Sequence, residues 1–247
     1  MKDYRLSHTS ERIVKQYEEV IYHAGSYDDM LWQWEKRVLE QEMQELKKNV
    51  RDVEYLDFGC GTGRILVFLE GSARHSIGVD PAEAMVRVAR ERVKNAELVV
   101  ADITHTDALS GNVFDLITAF RVFLNSQPPL REEMLAVLVP KLRDEYSIFI
   151  FNIHGNLASY RFFTKLWYMA RGRRLNTMTV GEAKRMAERH GLEVIRWYGF
   201  GVKPKIFYRL LGARFMFAVD SLLAKLPGMK YVSYDLVFVC RKARKSP

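Results

Sequence analysis

The stretch VEYLDFGCGTGRIL, Val53 to Leu66, decides how the rest of the chain is read. A short apolar run breaks into three glycines at alternate positions, Gly59, Gly61 and Gly63, and then resumes with helical spacing, so the order is strand, tight turn, helix. Glycine removes the Cβ that would hold a ligand off the backbone and permits φ > 0, and the helix that follows presents unpaired N–H groups. A turn of this composition cradles a ligand. Asp57, just ahead of the glycines, sets the charge it accepts, because a carboxylate there repels pyrophosphate and attracts an ammonium group.

Outward from the turn, apolar runs at 53–58, 75–79, 96–100, 114–120 and 146–152 alternate with helical patterns at 63–70, 81–94 and 130–143. The alternation predicts an α/β fold, a doubly wound and mostly parallel sheet, with ligands beyond the carboxyl ends of the strands where strand order reverses. The glycine turn lies at one such end. Asp80 closes the second run, where its carboxylate can accept from both hydroxyls of a ribose; Asp80-Pro81-Ala82-Glu83 also reads as a helix start, with Asp80 as N-cap and Pro81 at N1. Asp102 closes the third run, where it can accept from an adenine amino group while Ile103 packs on the ring, or act as a turn cap. A nicotinamide fingerprint would need glycine three positions after Gly61, where this chain has Arg64.

Asp57-x-Gly59-x-Gly61-x-Gly63, IGVDPAEAM with Asp80, VVADI with Asp102 and FDLITAF together resemble the successive motifs of class I S-adenosylmethionine-dependent methyltransferases of the Rossmann-like type, over residues 53–152. The resemblance implies that Gly59, Gly61 and Gly63 approach the methionine part of S-adenosylmethionine, with Asp57 near its amino group. It implies further that Asp80 binds the ribose, that Asp102 and Ile103 bind the adenine, and that Pro81 and Phe120 complete the cofactor contacts, without a metal. The family's seven-stranded sheet ends in an antiparallel pair, for which 191–201 and 234–243 are suited. A base-amino DNA or RNA methyltransferase would carry an Asn/Asp-Pro-Pro-aromatic run after the fourth strand; this chain reads Ala119-Phe120-Arg121-Val122 there.

At 247 residues and 48% hydrophobic, the chain can bury one full core. No stretch reaches the ~18 to 20 apolar residues of a membrane span, and the N-terminus lacks the apolar centre of a signal peptide, so a cytoplasmic protein is expected. Cys60 and Cys240 have no metal-ligand spacing and fit a reducing compartment. The net charge of +8 is unevenly spread: residues 151–247 hold 19 Lys and Arg against 5 Asp and Glu, leaving 19 against 25 in residues 1–150. The basic third suits phosphate or anionic lipid, or is simply solvated.

Candidates for handling a methyl acceptor lie outside the cofactor motifs. His154, after the fifth strand, is the candidate general base, or a loop histidine satisfied by hydrogen bonding. Arg121 can hold an acidic substrate or pair with a carboxylate, and Tyr22 and Tyr27, beside a Gly-Ser break between helical patterns at 10–21 and 28–48, can close over a ligand or pack in the core. The patterns at 158–175 and 180–191 predict two helices. The segment 206–226 predicts a third, with Phe207, Leu211, Phe215, Ala218, Leu222 and Leu226 on one face as core, as the lid of a hydrophobic pocket, or as a face lying on a membrane surface. The expectation is one domain over 1–247, comprising a helical cover (1–50), a cofactor core (51–152) and substrate-side helices with the final strand pair (153–247). The expected activity is methylation of a small lipophilic or anionic molecule, such as a quinone precursor, a lipid or a lipid-linked sugar. The alternatives are an RNA methyltransferase, although no RNA-binding motif is visible and nucleic acid is not the expected partner, and a non-catalytic binding protein of the same fold.

Overall fold

The computed structural model describes residue 14 and residues 25–244. Five parallel strands come from the apolar runs: β1 (Glu54–Phe58), β2 (His75–Asp80), β3 (Glu97–Val100), β4 (Leu116–Ala119) and β5 (Ile148–His154). Two more, β6 (Leu192–Phe200) and β7 (Asp235–Lys242), pair antiparallel with each other and join through β7 to β5, giving the order β3-β2-β1-β4-β5-β7-β6. This is the seven-stranded, doubly wound sheet expected, with its antiparallel end. Strand order reverses between β1 and β4, where Tyr55 to Asp57 pair with Leu116 to Thr118.

Crossover helices cover both faces. They are α2 (Arg64–Leu69), α3 (Glu83–Arg90), α4 (Pro128–Leu138) and α6 (Val180–Arg189), the last closed by a reciprocal capping box between Thr179 and Glu182. The N-terminal cover is α1 (Tyr27–Leu46): Ser26 Oγ accepts from the Asp29 N–H at 3.0 Å, and Asp28 and Asp29 occupy the first turn, where the helix dipole favours carboxylates. Its apolar stripe, including Leu31, Leu39 and Met43, is buried, and Trp34 stacks on Phe200 at 5.4 Å. The helical pattern at 10–21 lies outside the described residues, apart from residue 14.

Two predicted helices are shorter than their patterns. The one at 158–175 is α5 (Arg161–Met169), and Gly172, at φ 66°, turns the chain before the remaining arginines. The one at 206–226 is two helices, α7 (Lys205–Leu211) and α8 (Ala213–Leu223), broken at Gly212 with φ 85° and ψ 134°, a non-helical geometry that glycine tolerates. Its apolar stripe is not core: Leu211 is 55%, Phe215 61% and Leu222 67% exposed, while Tyr208, Met216 and Asp220 point inward. No described helix is long and apolar enough to cross a membrane.

Beneath the sheet's centre, Phe123, Phe149, Phe151 and Phe238 stack through contacts of 5.1 to 6.0 Å between ring centroids, all fully buried. On the opposite face, α2 sits close on β2 because residue 78 is glycine: a Cβ there would lie 2.5 Å from Leu66 Cδ2, 3.0 Å from Leu98 Cδ2 and 3.1 Å from Cys60 Sγ. Gly78→Ala is therefore expected to cost about 1–3 kcal/mol in urea unfolding through overpacking. An unchanged midpoint would show that α2 is free to move away.

Candidate functional site

The glycine turn occupies the crevice between the carboxyl ends of β1 and β4. The Gly59 and Cys60 N–H groups both donate to Val79 O, at 2.8 and 3.1 Å, and Gly63 N–H donates to Cys60 O at 2.9 Å. Gly59 and Gly61 hold φ of 69° and 54°. A Cβ on Gly59 would meet Val122 Cγ2 at 2.6 Å, whereas one on Gly61 would meet nothing within 4 Å, because Gly61 borders open space.

That space is a cavity of about 790 Å³, open mouth included, walled by the turn, Asp80, Pro81, Met85, Asp102, Phe120, Arg121, Asn125 and Met134 among others. A smaller one of about 350 Å³ shares Gly59, Gly61, Phe120 and Arg121 with it and reaches Asp57, Thr62 and Arg64. The two adjoin along these shared residues and make one cleft. Asp80 Oδ2 accepts from the Gly61 N–H at 3.0 Å and Oδ1 from the Ala82 N–H at 2.8 Å, so this carboxylate fastens the turn to the end of β2. It does not cap α3, whose N-cap is Ala82. Asp102 accepts at Oδ1 from the N–H and hydroxyl of Thr104, at 3.0 and 2.6 Å, and so orders its own turn while standing in the wall.

At the back of the cleft and behind it lie carboxyl groups with almost no solvent. Asp57 Oδ1 accepts from the Thr118 hydroxyl at 2.7 Å, which in turn accepts from Tyr55 at 2.8 Å. Burial pushes Asp57 up to about 7, against the pull of the Thr118 hydrogen bond and the Arg64 charge. Glu35 of α1 is fully buried: Arg64 Nη1 donates to its Oε2 at 3.1 Å, and Arg121 Nη2 lies 3.6 Å from its Oε1. Asn152 Nδ2 donates to Glu35 Oε1 at 3.1 Å and to Asp235 Oδ1 at 3.2 Å, while its Oδ1 accepts from the Arg121 N–H at 2.6 Å. The last bond holds Arg121 at φ 63°, a left-handed conformation uncommon for a residue with a Cβ. Burial alone would raise both acids. On Glu35 the Arg64 and Arg121 charges prevail and lower it, whereas on Asp235 burial and the Glu35 charge hold it well above the usual range.

Of the residues singled out in the sequence, Asp57, Gly59, Gly61, Asp80, Pro81, Asp102, Phe120 and Arg121 line the cleft. Gly63 stands behind it, where a Cβ would approach Ala89 Cβ to 3.1 Å, and Ile103 is packed in the main core. Tyr27 is buried in a ring cluster with Tyr208 and Tyr234, at 4.8 and 5.7 Å, and Tyr22 lies outside the described residues. His154 is two residues past Asn152 on the same sheet face and outside the cleft lining; burial, then the Arg121 and Arg161 charges, hold it well below the usual histidine range. Sequence reasoning passed over Glu35, Asn152 and Asp235. The signal was present: Glu35 interrupts the apolar stripe between Leu31 and Leu39, and Asn152 stands inside the apolar run of β5.

A buried acid raised to about 7 keeps its proton in the folded state while the unfolded chain gives it up near ~3.9, so its ionisation costs stability as pH rises from ~4 to 7. Asp57→Asn is expected to flatten the fall in unfolding free energy between pH 5 and 7 by about 1 kcal/mol per pH unit. An identical slope would place Asp57 in an ordinary environment. Glu35→Gln leaves two guanidiniums short of their buried countercharge and is expected to cost about 3–5 kcal/mol by urea unfolding, with a loss under about 1 kcal/mol contradicting the network.

Residues 56–144 match the family described as a methyltransferase domain. A demethylmenaquinone methyltransferase of Thermotoga maritima is 34% identical over 104 residues, which span 40% of this chain and 43% of that protein. Among solved structures, a magnesium protoporphyrin IX methyltransferase of Synechocystis PCC 6803 with bound SAH aligns over 94% of this chain and 99% of its own, with a TM-score of 0.61 at 13% identity. A S-adenosylmethionine-dependent methyltransferase of Clostridium acetobutylicum aligns over 94% and 98%, with a TM-score of 0.62 at 14% identity. At these identities the structures speak for the fold; the family match speaks for the segment that carries the turn, Asp80, Asp102 and β4. Residues 56–144 thus match the methyltransferase-domain family, and the chain as a whole has the fold of S-adenosylmethionine-dependent methyltransferases.

Proposed function

We propose that this protein transfers a methyl group from S-adenosylmethionine to a small molecule that is lipophilic or anionic. The observation that carries the cofactor is Asp57, a buried carboxyl at the end of the cleft whose neighbouring cation, Arg64, already faces Glu35. An ammonium group is the ligand chemistry that relieves it, and a phosphate is not. The rest of the cleft fits the same molecule: Gly61 leaves room beside the backbone, Asp80 and Asp102 place carboxylates in the wall that suit ribose hydroxyls and an adenine amine, and Met85, Phe120 and Met134 supply apolar wall.

When bound, the cofactor supplies an electrophilic methyl group on a sulfonium. The chain's own part is to hold donor and acceptor in line in a site that water has left, which provides much of the rate in such a displacement. Arg121, its backbone held by Asn152 and its guanidinium turned toward Glu35 and Asp28, is part of the cleft wall, beside which an anionic acceptor would be oriented. The lipophilic reading is supported by the apolar helices that follow β5 and β6, and the Thermotoga and Synechocystis proteins are named for quinone and porphyrin substrates. Those likenesses cover the fold or the cofactor-side segment alone.

His154 is the candidate base. Held neutral by burial and two arginines, it has no charge to lose near pH 6.5, so its use predicts a pH–rate profile without a histidine step between pH 6 and 7.5 and a large drop in turnover for His154→Ala at unchanged cofactor affinity. Unaltered turnover would make it structural. The general test is calorimetric titration with S-adenosylhomocysteine, then transfer of labelled methyl into fractionated lipid, small-molecule and RNA extracts. Binding lost in Asp80→Ala and label in the lipid or small-molecule fraction is expected. Absence of binding would defeat the cofactor reading, label in RNA the acceptor reading, and binding without any transfer would leave a non-catalytic binding protein.

A further inference from the structure

The helices after β5 and β6 leave their apolar side chains in solvent. Among the described residues, fourteen of the eighteen exposed large hydrophobic side chains lie between 162 and 232, with Phe163 at 72%, Leu210 at 70% and Leu222 at 67%. The sheet brings their helices to one end of the molecule. β6 runs in the same direction as β5, both being antiparallel to β7, so α5 and α7 leave from the same carboxyl edge at which the cleft opens. Their first turns are anchored to neighbouring groups: Arg161 Nη2 donates to the Tyr234 hydroxyl at 3.3 Å, Tyr208 and Tyr234 pack on Tyr27, and Lys205 and Arg121 both reach Asp28, at 3.3 and 3.4 Å.

The charge around these side chains has one sign. Residues 157–178 and 201–232 hold eleven Lys and Arg and one acid, Asp220, which is buried against the Tyr208 hydroxyl. Arg173, Arg174, Arg209, Arg214 and Lys225 are exposed and form no ion pair with the described residues. A two-fold interface between copies would set this cationic face against itself. Nucleic acid would meet the cations, but interfaces of that kind are polar and leave Leu210, Phe215 and Leu222 without a role. An anionic bilayer surface satisfies both sets at once: aliphatic and aromatic side chains enter the acyl boundary while Arg and Lys meet the headgroups.

We propose that α5, α7 and α8 form a docking face for the surface of an anionic phospholipid bilayer, which sets the mouth of the cleft beside the membrane. This inference stands apart from methyl transfer, since docking needs no cofactor. The test is flotation of the full chain with vesicles of phosphatidylcholine and phosphatidylglycerol, with pure phosphatidylcholine as control, at ~0.1 M and ~1 M salt. The protein is expected to float with the anionic vesicles at low salt and with neither at high salt. Arg209→Gln with Arg214→Gln is expected to weaken binding about thirtyfold, at roughly fivefold per charge, and Leu210→Ser with Phe215→Ser to weaken it at least about tenfold, both with unchanged unfolding midpoints. Failure to bind anionic vesicles at low salt, or equal binding by both double variants, would overturn the proposal. So would a concentration-dependent dimer, or an RNA complex, that engages the same residues while vesicles are not bound.

Discussion

Arg64 is one guanidinium placed between two buried carboxyl groups, and much of the structure follows from how it is shared. It is the first residue of the helix after the glycine turn, and it gives its hydrogen bond to Glu35 of the N-terminal cover, with Trp32 stacked on its face at 4.3 Å. Asp57, on the strand that enters the turn, receives only its longer-range field and stays raised to about 7. The cover is thereby tied to the turn, and the turn keeps an acid short of positive charge. The shortage is local and directional, and it lies at the end of the cleft where a ligand's ammonium group would relieve it.

The same network explains why the antiparallel end of the sheet bears on the site. Asp235 opens β7 and Asn152 lies near the end of β5; through Asn152 they connect Glu35 to the backbone of Arg121, whose left-handed conformation that contact maintains. A residue at the cleft wall is thus positioned by α1, β5 and β7 together. Buried charge sets of this kind contribute little net stability when intact and cost much when broken, so they fix geometry more than they strengthen the fold. What they hold in place here is Arg121 in the cleft wall.

The alternation of apolar runs and the spaced glycines made the sheet, its order of elements and most of the cleft legible from the sequence. Asp57, Asp80, Asp102 and Arg121 could be singled out because acids at strand ends and cations after strands are visible along one dimension. Glu35 and Asp235 could not be paired that way, being two hundred residues apart and joined only by the fold. Local capping was misjudged at Asp80, whose carboxylate turns to Gly61 and Ala82 instead of starting a helix, and the stripe from Phe207 to Leu226 faces outward on two helices that break at Gly212. Periodicity identifies an apolar face; which way the face points is decided by what the rest of the chain leaves uncovered.

The central claim, that the cleft takes an ammonium group against Asp57, is tested most directly by counting protons. Calorimetric titration of S-adenosylhomocysteine at pH ~6, in buffers of different ionisation enthalpy, reports the protons released on binding. With Asp57 at about 7 in the free protein, arrival of the ammonium should release close to one proton per site, a release absent in Asp57→Asn. Binding with no proton released, or with the same release in Asp57→Asn, would contradict the account.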